Sequence, residues 1–339
     1  MTEEMEQELN IVVTRTPYRL SFFGGGTDYP DYYREHGGAV LSTSINRYCY
    51  ITCREMPPFF PNKYLIRCYD TENVMSLDEI KHDTVRESIR LMGGPHEWLE
   101  VNASGDIPAM SGIGSSSAFT VGFLHALHAY SGQMPTKRQL AEMAHEVEQN
   151  MVGENVGSQD QVAAAFGGMN LIEFNGREEF IVRPVTLGRE RRQKLQDRLL
   201  LYYTGISRLS SDIAGEQIKR IDCNTTHLEE MKDMVMEAVR ILTSPDGDID
   251  DFGRLMHESW MRKRTLCKGI SSTYIDSLYE KARKHGALGG KICGAGGGGF
   301  LMLYVQPEKR EAVMAAMDDM MLVPFRFETL GSHVIFYSS

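Results

Sequence analysis

The sequence predicts a two-domain α+β chain, and three observations carry that prediction. At 339 residues the chain is long enough to bury two cores. Strand-like alternation, as in Val40 to Arg54, is interleaved with apolar residues at helical spacing, as at Leu228, Met231, Val235, Val239 and Leu242. A charged stretch from Gly188 to Asp197, which no core-facing pattern crosses, divides the chain into residues 1–188 and 189–339.

The acidic start MTEEMEQELN reads as a frayed tail and not as a signal peptide. Ile11 to Arg15 reads as a strand. Arg15 to Tyr33 follows as a loop, because Pro17, the triplet Gly24-Gly25-Gly26 and Pro30 argue against a regular element. Strands are expected at Val40 to Arg54, Tyr64 to Tyr69 and Leu99 to Ala103, with a helix from Leu77 to Met92. A helix ends at Tyr130, and Thr136 with Gln139 forms a capping box for the next one, through Met151. Gly153 to Gly168 is a glycine-punctuated loop and a short helix. Asn175-Gly176 suits a type I′ turn between Met169–Phe174 and Glu179–Pro184. In the second half, a strand at Leu199 to Tyr203 precedes helices near 228–242, 250–267 and 273–285. A strand at 288–293, the run GAGGGG (Gly294 to Gly299), a strand at 300–305, a helix at 307–320 and two closing strands complete the chain.

Composition narrows the functional classes. The chain is 42% hydrophobic and 24% charged, as in an ordinary soluble enzyme, and its net charge of −10 argues against general affinity for nucleic acid. No apolar run approaches the roughly 20 residues of a membrane span. Six scattered cysteines without a CxxC pair read as structural thiols in a reducing cytoplasm.

Chemistry concentrates at Asp106 to Phe119, DIPAMSGIGSSSAF. Gly112 and Gly114 permit a tight turn that aims N–H groups at one point, and Ser115, Ser116 and Ser117 open a helix whose dipole favours an anion. The loop reads as a phosphate cradle or, equally, as a serine-capped helix. Gly294-x-Gly296-x-x-Gly299 matches a dinucleotide fingerprint as a string, but a β-rich run follows it where that fold needs a helix. No Walker lysine is present. Asp160 in GSQDQ and Glu148 on the preceding helix could supply the metal ligand and the hydroxyl-orienting group that phosphoryl transfer needs. They read alternatively as a helix cap and a surface acid. Arg19 and Asp28, charged among aromatics, read as site residues or as a loop salt bridge. The WMRKR run (Trp260 to Arg264) is a cationic candidate for phosphate that reads rather as a solvated helix face.

In order, PYRLSFFGGGTDY, PAMSGIGSSSA, GSQDQ and KICGAGGGGF resemble the motifs of the GHMP kinases over nearly the whole chain. The resemblance implies an N-terminal ribosomal-S5-like α/β domain and a C-terminal ferredoxin-like domain. It implies ATP on Pro108, Ser111, Gly112, Ile113, Gly114, Ser115, Ser116 and Ser117, and Mg²⁺ on Ser116 and Glu148. Asp160 and Arg19 take the catalytic positions. Asp28, with Gly25, Gly26 and Thr27, is expected around the acceptor, together with Gly296 and Gly297 of the third motif. Arg208 and Lys291 are expected as cations for a substrate phosphate. Gly25 and Gly26 stand where galactokinases carry Glu and His, and Ser117 stands where the family carries Ala. The variants look most like the branch that phosphorylates sugars at the anomeric hydroxyl, with D-glycero-D-manno-heptose 7-phosphate as acceptor. Another sugar or alcohol (fucose-, galactose- or mevalonate-like) and a non-catalytic sugar sensor are the alternatives. The expected partners are the sugar phosphate and ATP, with no nucleic acid and no membrane, and a homodimer is left open.

Overall fold

A computed structural model describes residues 9–93, 96–109, 111–176, 179–206 and 210–338. In chain order it contains β1 (Ile11–Phe23), α1 (Pro30–His36), β2 (Gly38–Glu55), β3 (Tyr64–Arg67), β4 (Thr71–Val74), α2 (Asp83–Met92), β5 (Leu99–Gly105), α3 (Ser115–Tyr130), α4 (Lys137–His145), α5 (Gln159–Phe166), β6 (Met169–Phe174) and β7 (Phe180–Pro184). Then come α6 (Arg189–Asp197), β8 (Leu199–Tyr203), α7 (Ser210–Ile218), α8 (Ile221–Thr243), α9 (Asp250–Leu266), α10 (Thr273–Lys284), β9 (Ala287–Ile292), β10 (Phe300–Val305), α11 (Arg310–Ala316), β11 (Met321–Leu322), β12 (Phe327–Glu328) and β13 (His333–Ser338). The α+β class is as expected. Among the described residues, no helix is long and apolar enough to cross a membrane, and all six cysteines are free.

The strand β2 organises the first, nine-stranded sheet. One of its edges pairs with β1. The other is shared in turn by β6 at Gly38–Thr43, β12 at Ser44–Ile45 and β5 at Cys49–Glu55. The helix α3 lies on this sheet so closely that a β-carbon on Gly122 would sit 2.7 Å from Thr16 Oγ1. The second sheet is four-stranded and antiparallel, in the order β11-β8-β10-β9.

Several expectations give way here. Residues 15–23 are strand, not loop: Pro17 is accommodated because the β1–β2 register shifts between Pro17 and Tyr18, where its missing N–H disrupts no ladder. Pro30 starts α1 at its first turn, a position that needs no donor. The β6–β7 pairing brackets Phe174 and Phe180, so the loop is longer than the two-residue Asn175-Gly176 turn. The charged stretch after Gly188 is the helix α6, and α7 has no counterpart among the expected elements.

The second half is not self-contained. β12 and β13 return to the first sheet. Phe22 and Phe23 of β1 pack edge-on to Phe252 of α9, with ring centroids 5.4 and 5.1 Å apart. One apolar core therefore runs through both halves, and a second lies mainly within 200–317. The fully buried second half of β1 follows from this covering on both faces.

The returning chain also pins α5. Ser332 N–H donates to Ala164 O (2.9 Å), and a β-carbon on Gly331 would lie 2.1 Å from Ala165 O. Gly331→Ala is expected to destabilise the protein by about 1–3 kcal/mol, because a backbone oxygen cannot move aside like a flexible side chain. The urea unfolding midpoint checks this, and an unchanged midpoint would contradict it.

Candidate functional site

The loop between β5 and α3 adopts the turn that its glycines permit, with φ of +79° at Gly112 and +74° at Gly114. Gly114 caps α3 without a side chain, so its first turn presents backbone N–H groups to an anion. The third glycine run connects β9 to β10 and backs directly onto this loop. A β-carbon on Gly112 would meet Cys293 O at 2.6 Å, and one on Gly299 would meet Ser111 O at 2.1 Å. Gly299 is held in turn by Thr204, whose N–H and Oγ1 both donate to its carbonyl (2.8 and 2.9 Å). A cavity of about 640 Å³ opens beside the two loops. Pro108, Gly112, Gly114 and Ser115 to Ser117 line one side, and Gly25, Gly26, Asp28 and Asp160 another.

Three consecutive residues at the start of α5 address three different groups. Gln159 Nε2 donates to Asp28 Oδ2 (2.9 Å). Asp160 accepts from Arg19 through both oxygens, Nε to Oδ1 at 2.7 Å and the second terminal nitrogen to Oδ2 at 2.6 Å. Gln161 Nε2 donates to Glu148 Oε2. The remaining Arg19 nitrogen reaches Gly112 O (2.8 Å), so one guanidinium joins the acidic residue to the cradle. Burial works against the Arg19 charge, but the Asp160 carboxylate more than offsets it and raises the guanidinium above its ordinary value. Burial shifts Asp28 the other way for a carboxyl, upward, against hydrogen bonds from Gly26 N–H (2.8 Å) and Gln159. Gly157 is required beside it, since a β-carbon there would lie 2.0 Å from Asp28 Oδ2.

Glu148 lies in a π-helical turn, Glu146–Met151, that continues α4. Such turns insert one residue and redirect a side chain, a common device at functional sites. Its carboxylate is 1% exposed. It accepts from Thr120 Oγ1 (2.6 Å), Ser117 Oγ (2.9 Å) and Gln161, and among the described residues no cation pairs with it. Burial pushes its pKa up to about 7 despite these bonds. A buried carboxylate with hydroxyls and no counter-ion fits a cation such as Mg²⁺. The neighbouring hydroxyl is Ser117, whereas Ser116 is exposed on the cavity wall.

Other expected positions fall outside the cavity. Ser111 and Ile113 are buried behind the cradle, where Ile113 O accepts from Arg19 N–H (3.0 Å). Thr27 Oγ1 serves the glycine turn, donating within reach of Gly24 O and Ala39 O. Gly296 and Gly297 pack on Ile270, and Gly294 and Ala295 line the cavity in their place. Lys291 is buried with its amine on Ser21 O (2.9 Å) and Phe22 O (3.3 Å), away from the cavity lining. Arg208 lies outside the described residues.

Lys263 was missed. The WMRKR run is not a solvated face: Trp260 and Lys263 are buried, Met261 is exposed, and the half-buried arginines pair outward, Arg262 with Glu230 and Arg264 with Asp276. The signal was present, because Phe252, Met256, Trp260, Lys263 and Leu266 follow helical spacing along one buried face of α9. Lys263 Nζ donates to Gly294 O (2.6 Å) at the cavity wall.

Residues 82–168 match the GHMP kinases N terminal domain and residues 227–321 the GHMP kinases C terminal domain. A D-glycero-alpha-D-manno-heptose 7-phosphate kinase of Campylobacter jejuni is 27% identical over 318 residues, 91% of this chain and 94% of that protein. A crystal structure of a D-glycero-D-manno-heptose 1-phosphate kinase from Bacteriodes thetaiotaomicron superposes with a TM-score of 0.80 at 26% identity, covering 97% of this chain and 100% of that one. The galactokinase of Lactococcus lactis, solved with galactose, shares the fold, with a TM-score of 0.71 at 19% identity over 95% of each chain.

The raised Glu148 pKa has a consequence for stability. Its folded-state value of about 7 exceeds the ordinary 4.5, so its contribution is fully present below 4.5 and is lost as pH rises through 7. Between pH 5 and 8, the Tm of the metal-free protein is therefore expected to fall relative to that of Glu148→Gln, by roughly 3 °C or more. Parallel melting curves for the two proteins would contradict it.

Proposed function

The chain belongs to the GHMP kinases and is a phosphotransferase acting on an alcohol group, and on that premise we propose that it transfers the γ-phosphoryl group of ATP to the anomeric hydroxyl of D-glycero-D-manno-heptose 7-phosphate. The observation that carries the reading is the Arg19–Asp160 pair, set between the cradle and Asp28. Similarity over nearly full length to two heptose phosphate kinases supports a sugar phosphate as acceptor.

The residues divide the work. N–H groups of the cradle and of the first turn of α3 take the phosphates. Mg²⁺, held by Glu148 and the hydroxyls of Ser116 or Ser117, would neutralise charge on the transferring phosphates. Asp160 has outer lone pairs left after binding Arg19, and these accept the proton of the sugar hydroxyl. Full deprotonation is unnecessary, because a loose phosphoryl transition state demands little of the nucleophile. Arg19 fixes the carboxylate against the Gly112 carbonyl and so sets the spacing of acceptor and donor, the positioning on which such transfers depend. Asp28 accepts from a further sugar hydroxyl.

Two experiments test this. Asp160→Asn is expected to lower kcat by ~10²–10⁴-fold, with ATP affinity within about twofold and an unchanged circular dichroism spectrum; kcat within a few-fold of wild type would remove Asp160 from the mechanism. An ADP-release assay across heptose 7-phosphate, heptose 1-phosphate, heptose, fucose, galactose and mevalonate, with ³¹P NMR of the product, is expected to show turnover with the 7-phosphate and a new anomeric phosphate signal. Preference for another acceptor would overturn the substrate, and turnover of none would favour a sugar-binding sensor.

A further inference from the structure

Lys263 has no part in the mechanism above, yet it is built into the cavity. Among the described residues lining it, the Lys and Arg side chains are Arg19 and Lys263. Arg19 is committed to Asp160 and Gly112. Lys263 is 3% exposed and forms no ion pair among the described residues; its hydrogen bond goes to the Gly294 carbonyl. An ammonium has three donors, so this bond leaves capacity for a ligand. Burying it without a counter-ion is costly, and burial pulls its pKa down to about 8, with Asp28 opposing the shift.

Its surroundings are polar and incomplete. A β-carbon on Gly25 would lie 3.5 Å from Lys263 Nζ, 3.8 Å from Gln159 Nε2 and 3.9 Å from Ser21 Oγ, so these three groups cluster around one glycine. Ser21 Oγ and Gln159 Oε1 are buried without a hydrogen-bond partner, an arrangement that calls for a ligand or water. Gln159 joins this cluster to Asp28. A β-carbon at position 25 would be in ordinary van der Waals contact with the amine, so a side chain reaching beyond it would compete for the space around Lys263.

We propose that Lys263, with Gln159 and Asp28, forms a subsite that reads hydroxyl groups of the acceptor, and that Lys263 is its specificity-determining residue. The chemistry selects the ligand. Each sugar hydroxyl both donates and accepts, and here an ammonium donates while a carboxylate and an amide oxygen accept. A phosphate at this place would face the Asp28 carboxylate, so the subsite takes the diol part of the acceptor and not its phosphate. This deepens the proposed kinase reading and rests on it, but requires only a polyhydroxylated acceptor.

The test uses whichever acceptor of the panel the wild type turns over, with deoxy analogues that each lack one hydroxyl. Lys263→Met is expected to raise acceptor KM at least tenfold while ATP KM stays within twofold. The wild type is expected to discriminate at least tenfold against one deoxy analogue, and the variant to lose that discrimination. Acceptor affinity of the wild type is expected to weaken above about pH 8, and that of the variant to stay flat. The charged and titratable groups facing Lys263 (Asp28, Arg19, Lys291, Cys293 and Cys267) are the same in both proteins. Should Lys263→Met fail to fold, Lys263→Gln, which keeps a donor, is expected to show the same KM split in weaker form. Equal changes in both KM values, unchanged acceptor KM or retained discrimination would overturn the proposal. Turnover of a different sugar with the Lys263 effects intact would overturn the substrate reading alone. Turnover of mevalonate only, or of nothing, would overturn both.

Discussion

The guanidinium of Arg19 is the contact on which the rest of the site depends. It is a buried charge, and burying it is tolerable only because a carboxylate and a carbonyl accept its hydrogen bonds. The carboxylate belongs to α5 and the carbonyl to the cradle. Its own backbone N–H binds the cradle at Ile113, so β1 is fastened to the same loop twice. Three segments distant in sequence are thereby held in one register, and the cavity walls inherit that register. The neighbours of Asp160 repeat the device, tying α5 to Asp28 on one side and Glu148 on the other.

A second constraint is backbone against backbone. Gly112 meets Cys293 and Gly294, and Gly299 meets Ser111, at distances that no side chain could enter. The glycines in these loops thus do more than bend the chain: they let two loops from opposite halves share one surface. Since β1 is also sandwiched by Phe252 of α9, the halves are coupled through apolar packing as well as through the loops.

Much of this was legible in the sequence. The mixed α+β pattern, the capping box at Thr136 and Gln139, and the strand that follows GAGGGG all stand as read. The cradle was readable as one of two alternatives, because glycine spacing before a helix marks a turn without saying what it holds. What escaped depended on tertiary partners. Pro17 looked like a breaker because a register shift in a sheet is invisible along one strand. Lys263 looked solvated because two arginines flank it and charge outweighed its place in the α9 periodicity. Glu148 looked like one acid among several until the π-helical turn rotated it inward. Ser117 and Ser116 are indistinguishable by type, and only the direction of the first turn of α3 separates the hydroxyl that meets Glu148 from the one on the cavity wall. Lys291 was expected at the substrate on charge alone, which does not say where a side chain points.

The return of β13 to the edge of β1 bears on how the protein is made. β1 leaves the ribosome early, whereas its outer neighbour and the Gly331–Ser332 segment that steadies α5 emerge only after the whole second half has been synthesised. During that interval the edge of β1 presents unpaired backbone groups, and the helix bearing Asp160 lacks its support. The nascent chain can assemble most of its first sheet before the cavity wall at α5 is supported. The cavity wall is thus completed only once the segment through β13 has been synthesised, and a product cut short before it would carry the motifs without the packing that places them.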